Sequence, residues 1–385
     1  MTGHVRRRGE RSWELKFDVG SDPATGRRKT RFASFKGTKA DAQKELIRLI
    51  AAEQSGNGVD PSRETVAQFL ERWQRDWVAG NVGRKTAERW AELTRIHVVP
   101  NLGAKLIQKL RPVHLSELYS KLLRSEENED GLAPRTVGHV HRAIHRALGH
   151  AVQWGIVPSN VAAAVSPPRV ASTELEILTA KQTKDMLEQL RGRPLYMPVA
   201  TALATGMRRG EILALRWKDV DLTRNDRGQL RVEQSLEQTK KGGLRFKAPK
   251  TKHGRRIISL PDFLVTDLRA HRQALLKLRL TLGMGKMLDD SLVFGHVDGT
   301  PRRPDGLTQE WGRARGGLGL TVSLHAFRHT HASALISSGM DILTISRRLG
   351  HSSPTVTLAV YGHLFTNTDD RAAQIVHAAF SSRTD

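Results

Sequence analysis

Three histidines and one arginine fall within the eleven residues of "SLHAFRHTHAS", positions 323–333 of a 385-residue chain that contains no cysteine. Such a set suits either a metal, which takes neutral imidazoles, or an anion, which takes cations and hydrogen-bond donors. The lack of cysteine excludes thiol nucleophiles, disulfides and Cys-ligated zinc or iron–sulfur centres. Any covalent chemistry therefore uses oxygen or nitrogen.

His325 and Arg328 stand one helical turn apart and can face a common site. Other candidates lie in short motifs on either side. "TGMRRGE" carries Arg208 and Glu211, "PKTKHGRR" carries Lys250 and Lys252, "LGH" carries His351, and "TVTLAVYGHL" carries Tyr361. Metal-free phosphodiester exchange needs an oxygen nucleophile, cations for the charge that grows on the non-bridging oxygens, and an acid for the leaving oxygen. A phenol with a free pKa of about 10 must lose its proton during attack, and arginine suits the clamp because it stays charged and binds phosphate through two donors. Each residue also has a plainer reading: Arg208 and Glu211 as a surface ion pair, the lysines as guards of an edge strand, Tyr361 as core filler.

The whole-chain charge favours the anionic partner. Lys and Arg outnumber Asp and Glu by 62 to 39, a formal charge of +23, and an excess of that size points to nucleic acid. There is no run of eighteen apolar residues and no apolar secretion signal at the start, so the expectation is a soluble intracellular protein with no membrane partner.

The elements that must position these residues fall into three parts. In residues 1–57, "RSWELKFDVG" alternates with period two through Trp13, Leu15, Phe17 and Val19, and "GRRKTRFASF" reads as the return strand of a hairpin. A helix follows, with Ala42, Leu46, Leu49 and Ile50 at helical spacing. Residues 64–168 read as all-helical, opening with the capping-box pair Thr65 and Gln68 and the stripe Val66, Phe69, Leu70, Trp73 and Trp77. Within this part His141 and His145 are four apart on one helix face, and with no third ligand near they read as solvated or DNA-facing. Residues 175–385 hold every motif that suggests chemistry. There "LRFKAPKTKHGRRIISLP" predicts a hairpin with Lys250, Lys252 and His253 at its tip. Farther on, Gly339, the N-cap Asp341, Gly350 and "SSP" divide the last motifs into three helices, with Phe327, Ala334, Leu335 and Ile336 as packing positions.

The five motifs, in this order, resemble the tyrosine recombinase or phage integrase family, and the likeness extends over the basic N-terminal module and the helical module as well. The family resemblance implies a multidomain α+β chain: an N-terminal sheet-plus-helix module for arm-type sites, a helical core-binding domain, and a mainly helical catalytic domain with a small antiparallel sheet. It implies that Tyr361 attacks DNA to form a 3′-phosphotyrosyl link, with Arg208 and Arg328 as the catalytic arginines, His325 and His351 on the phosphate or moving protons, Lys250 as the hairpin acid, and Glu211 supporting the arginine site. Lys252 is the alternative lysine. His329, His331 and His363 match no catalytic position of the family and read as residues that support the site from behind, pack, or lie on the surface.

The same resemblance implies no metal and no cofactor, double-stranded attachment sites as substrate, a homotetramer on DNA, and accessory partners such as a directionality factor and a DNA-bending host protein. It also suggests a nucleoid-associated location. Two rivals remain: a topoisomerase-like nicking-closing enzyme with the same tyrosine chemistry, and a non-enzymatic regulator in which "DILTISRRLGHSSPTVTLAVY" is a helix-turn-helix.

Overall fold

Leu15, at the centre of the first alternating segment, is fully buried, and the first layer of the fold is built around it. The computed structural model describes residues 3–21, 26–54, 59–124, 131–171, 175–223, 228–249, 251–365 and 369–380. Contacts divide the chain into two compact units, Met1–Ala171 and Ser172–Asp385.

In the first unit, β1 (Gly3–Gly9), β2 (Ser12–Ser21) and β3 (Arg28–Lys36) form an antiparallel sheet of order β1-β2-β3. Helix α1 (Lys39–Gln54) lays Ala42 and Leu46 against Leu15 and Phe17. The sequence predicts a hairpin; the sheet has a third strand. "HVRRRG" escapes a period-two reading because, in this edge strand, Val5 alone packs toward the core and the arginines remain in water.

The helical part of this unit runs through α2 (Val66–Trp73), α3 (Ala79–Asn81), α4 (Arg84–Leu93), α5 (Val99–Leu102), α6 (Pro112–Leu123) and α7 (Pro134–Gln153). Thr65 and Gln68 form the expected reciprocal cap: the Thr65 hydroxyl accepts from the Gln68 amide and the Gln68 side chain accepts from the Thr65 amide. Val66, Phe69, Leu70 and Trp73 then turn inward onto Leu115, Val140 and Ile144. His141 corrects the solvated reading of the α7 histidines. It is buried, its Nδ1 lies 3.0 Å from the Tyr119 hydroxyl, and burial lowers its basicity, so this ring fills the core and satisfies a buried phenol.

The second unit is organised on α9 (Tyr196–Thr205), which follows α8 (Ala180–Leu190) and is buried along nearly its whole length. Gly206 ends it at φ +66, a left-handed conformation that favours glycine. After α10 (Arg209–Leu213) come β4 (Val220–Asp221), β5 (Gln229–Val232), β6 (Ser235–Thr239), β7 (Gly243–Lys247) and β8 (Arg256–Ser259). The predicted β7–β8 hairpin does not form. β7 pairs with β6 in a two-stranded ribbon, and β8 pairs with β5 at the edge of a β4-β5-β8 sheet. The apolar alternation of β8 is met by Leu230, opposite Ile258 in β5, so Lys252 and His253 sit on a 3-10 turn between two sheets.

Helices α11 (Asp262–Thr281) and α12 (Pro304–Gly317) lead to α13 (Ala326–Ser337), α14 (Ile342–Leu349), α15 (Pro354–Tyr361) and α16 (Asp369–Phe380). Trp311 of α12 anchors the start of α13: its indole donates to the Val322 carbonyl at 2.8 Å and its ring meets Phe327 edge-on. Ala334, expected to pack, is exposed, and Ala332 takes the buried position instead. Asp341 caps α14 by accepting from the Thr344 amide, and Gly350 ends it at φ +66. No helix among the described residues is long and apolar enough to cross a membrane.

Candidate active site

Arg208 is the residue at which the left-handed turn after α9 opens into α10. Its backbone is extended, and its amide donates to Glu211 Oε2 at 3.0 Å while its Nη1 donates to Glu211 Oε1 at 2.9 Å. Arg256, from β8, donates to the same Oε2 at 2.8 Å. Burial pushes the Glu211 carboxyl up, but Arg256 and Arg208 together outweigh it and hold the group below the usual glutamate range. Arg256 is tied to the backbone as well, donating to the carbonyls of Arg348 and Gly254. Glu211 is thus a fixed anion that orients two guanidiniums, and Arg208 remains partly exposed to receive something else.

Arg328 is held differently. Its Nη1 donates to the Gly206 carbonyl and its Nη2 to the Leu349 carbonyl, each at 2.6 Å, so the left-handed end of α9 and the end of α14 both fix it. Burial and then the like charge of Arg208 disfavour its cationic form. An anion in the site would relieve both penalties.

Four histidines of this unit come near these cations and divide by environment. His325, at the N-cap of α13, is made less basic by burial and by Arg328 and Arg208. His351, just past Gly350, points its Nδ1 at the Thr357 hydroxyl at 2.7 Å, and burial with Arg328 lowers it to about 4. His331 faces away from the site: its Nδ1 lies 2.7 Å from the Leu203 carbonyl and its Nε2 accepts from Arg348 Nε at 3.0 Å. His329 lies against Tyr361, with its Nδ1 2.8 Å from the phenol oxygen.

Tyr361, the last residue of α15, is 1% exposed. Burial raises its phenol, while Arg328 and Arg208 pull in the opposite direction without fully offsetting it. The hydroxyl is therefore protonated at rest and lies in the field of two arginines, an arrangement that can bring an oxygen nucleophile to an anion.

Of the residues singled out in the sequence, Arg208, Glu211, His325, Arg328, His351 and Tyr361 are brought together. Lys250 lies outside the described residues; its neighbour Lys252 is on the exposed 3-10 turn. The sequence reading missed Arg256, Arg348 and the contact of His329 with Tyr361. Arg256 gives a faint signal, a charge two residues before Ile258 and so on the inward face of a short strand. The histidines of 325–331 do not converge as zinc ligands would, and among the described residues there is no group of three or more His, Asp or Glu suited to a metal.

A mainly helical domain with two small antiparallel sheets, carrying a buried tyrosine among arginines and histidines, defines the class of tyrosine-type site-specific DNA recombinases. The chain belongs to the phage integrase family, whose model matches residues 176–368. It is 24% identical over 361 residues to a tyrosine recombinase XerC-like protein of Caldanaerobacter subterraneus subsp. tengcongensis, covering 89% of this chain and 90% of that one. It is 28% identical to an integrase of Streptomyces ambofaciens, covering 91% and 88%.

Among solved structures, the Tn1549 transposon integrase in complex with a circular intermediate DNA shares the fold at a TM-score of 0.66 and 22% identity, over 82% of this chain and 99% of that one. A lambda integrase dimer bound to a COC′ core site shares it at a TM-score of 0.53 and 15% identity, over 95% of each chain.

Proposed function

We propose that this recombinase exchanges DNA strands between attachment sites of a mobile element through a 3′-phosphotyrosyl intermediate. Tyr361 Oη attacks the scissile phosphorus, the bond to the 5′-oxygen breaks, and that oxygen leaves as a hydroxyl after taking a proton from Lys250. Arg208 and Arg328 hold the non-bridging oxygens, His325 and His351 contact the phosphate, and Glu211 keeps Arg208 in place. The reverse attack by a 5′-hydroxyl of the second duplex restores the tyrosine. One phosphodiester replaces another of similar energy, so the exchange needs no external energy source.

The observation that carries this reading is that the guanidiniums of Arg208 and Arg328 donate to the adjacent carbonyls of Gly350 and Leu349, at 3.3 and 2.6 Å, with the Tyr361 hydroxyl in their field. Residues 1–57 would take arm-type sites, residues 64–168 would grip the core site together with residues 175–385, and a homotetramer would hold two duplexes. The lambda integrase solved as a tetramer bound to a Holliday junction, of the same fold at a TM-score of 0.53, supports that assembly by analogy.

The test uses the full chain with a nicked duplex carrying an end of the element. A detergent-stable protein–DNA adduct is expected with the wild type and none with Tyr361→Phe. An adduct that persists in Tyr361→Phe overturns the assignment of the nucleophile, and adducts that never yield exchanged duplexes would favour a nicking-closing enzyme.

A further inference from the structure

Lys250 protonates the leaving oxygen, but attack by Tyr361 also needs an acceptor for the phenol proton. We propose that His329 accepts it: as Tyr361 Oη bonds to phosphorus, its proton passes to His329 Nδ1, and the protonated imidazole returns that proton when the 5′-hydroxyl displaces the tyrosine. This rests on Tyr361 being the nucleophile.

The geometry carries the proposal. His329 Nδ1 is 2.8 Å from Tyr361 Oη, and the two rings meet edge-on with centroids 5.6 Å apart. That is within the reach a general base requires. His325, by contrast, meets His329 edge-on with centroids 4.8 Å apart, and it is His329 that contacts the phenol. The contact joins two separate elements, since His329 belongs to α13 and Tyr361 ends α15. An ordinary core tyrosine needs only one buried acceptor and could have used a backbone carbonyl; here the partner is a side chain that can also carry the proton away.

The charged and titratable groups around the pair set the timing. His325 and Arg328 face His329 from its own helix, Arg328 and Arg208 act on Tyr361, and His363 lies on the 3-10 turn packed beside α13. Burial and these neighbours keep the His329 ring neutral, at about 4, so its acceptor lone pair is available at neutral pH. A bound phosphate brings negative charge against the same arginines, which raises the basicity of the imidazole when the proton must move.

The experiment measures single-turnover adduct formation from pH 5.5 to 10 on two forms of the nicked duplex, one with the ordinary 5′-oxygen and one with a 5′-bridging sulfur that leaves without an acid. His329→Ala removes the base. His329→Asn places an amide near the Nδ1 position, keeping a hydrogen-bonding partner that cannot carry a proton. With duplex affinity unchanged, both variants are expected to form adduct about 10²- to 10⁴-fold more slowly on either leaving group. Their rates are expected to climb toward high pH as the phenol ionises unaided.

Rates within threefold of wild type overturn the proposal, and so does full recovery on the sulfur substrate, which would put His329 on the leaving-group side. A rate restored in His329→Asn alone also overturns it, leaving a purely positional role. An adduct formed equally by Tyr361→Phe marks a different failure, that of the nucleophile itself.

Discussion

Glu211 and Arg256 meet at 2.8 Å with both side chains almost fully enclosed, 4% and 6% exposed. The pair joins α10 to the edge strand β8, and through Glu211 it reaches Arg208, 2.9 Å from the second carboxylate oxygen. One carboxylate therefore fixes Arg208 and links it to the β4-β5-β8 sheet. A neutral side chain there would leave a buried guanidinium without its counter-charge.

Glu211→Gln is accordingly expected to destabilise the domain by about 3–5 kcal/mol, read as a lower midpoint in urea unfolding. The ion pair also fixes a pH dependence. The folded carboxyl lies below its usual value of 4.5, so its contribution is fully present above about pH 4.5 and is lost as pH falls through the folded value. The Gln variant should show a flatter stability profile in acid, and an unchanged midpoint with an unchanged profile would contradict the role assigned to the pair.

The buried histidines act in a higher window. His331 and His351 are both lowered to about 4 from 6.5, so the unfolded chain binds more protons between those values. Their stabilisation is complete above pH 6.5 and is lost as pH falls toward 4. For His331 burial is the larger cause and Arg348 the next: Nε2 accepts from Arg348 Nε, and a proton there would confront the guanidinium. His331→Gln should reduce the steepness of the thermal midpoint between pH 4 and 6.5, whatever it does to the midpoint at pH 7.5.

Gly206 offers a test of how Arg328 is held. At φ +66 an alanine incurs about 1–2 kcal/mol of left-handed strain. Its Cβ would also stand 2.7 Å from the His331 ring and 2.8 Å from Leu349. The carbonyl of this same residue accepts from Arg328, so any shift moves the guanidinium. Gly206→Ala is expected to lose stability by about 2–4 kcal/mol, strain and overpacking combined. It should also weaken adduct formation more than duplex binding; a variant as stable as wild type would refute the close packing.

How much of this was legible in the sequence follows from the kind of signal each feature leaves. Capped helices such as α2 and α14, and the stripes they carry, are local patterns, and Thr65, Gln68, Asp341 and Gly350 sit where their chemistry requires. Strand pairing is non-local. The lysine-rich loop between β7 and β8 looks like a hairpin because both flanks alternate, and only the presence of β5 and β6 decides otherwise. The contacts of His141 and His329 are hidden for the same reason. Their partners, Tyr119 and Tyr361, lie 22 and 32 residues away, and no spacing rule connects them. Arg208, Arg328 and Tyr361 were recognised through motif order rather than through any property of their immediate neighbours.

The lysine assignment can be decided by chemistry. If Lys250 is the acid that protonates the 5′-oxygen, Lys250→Ala should form adduct about 10²- to 10⁴-fold more slowly on an ordinary nicked duplex. The loss should largely disappear on the 5′-bridging sulfur substrate, because a thiolate is a far better leaving group and needs no proton. Lys252, on the turn that leads into Gly254 and the buried Arg256, should behave as a surface cation. Lys252→Ala is then expected to weaken duplex binding in a salt-dependent way and to leave the ratio of oxygen to sulfur rates as in the wild type. The opposite pattern, sulfur rescue of Lys252→Ala and near-normal cleavage by Lys250→Ala, would transfer the acid to Lys252.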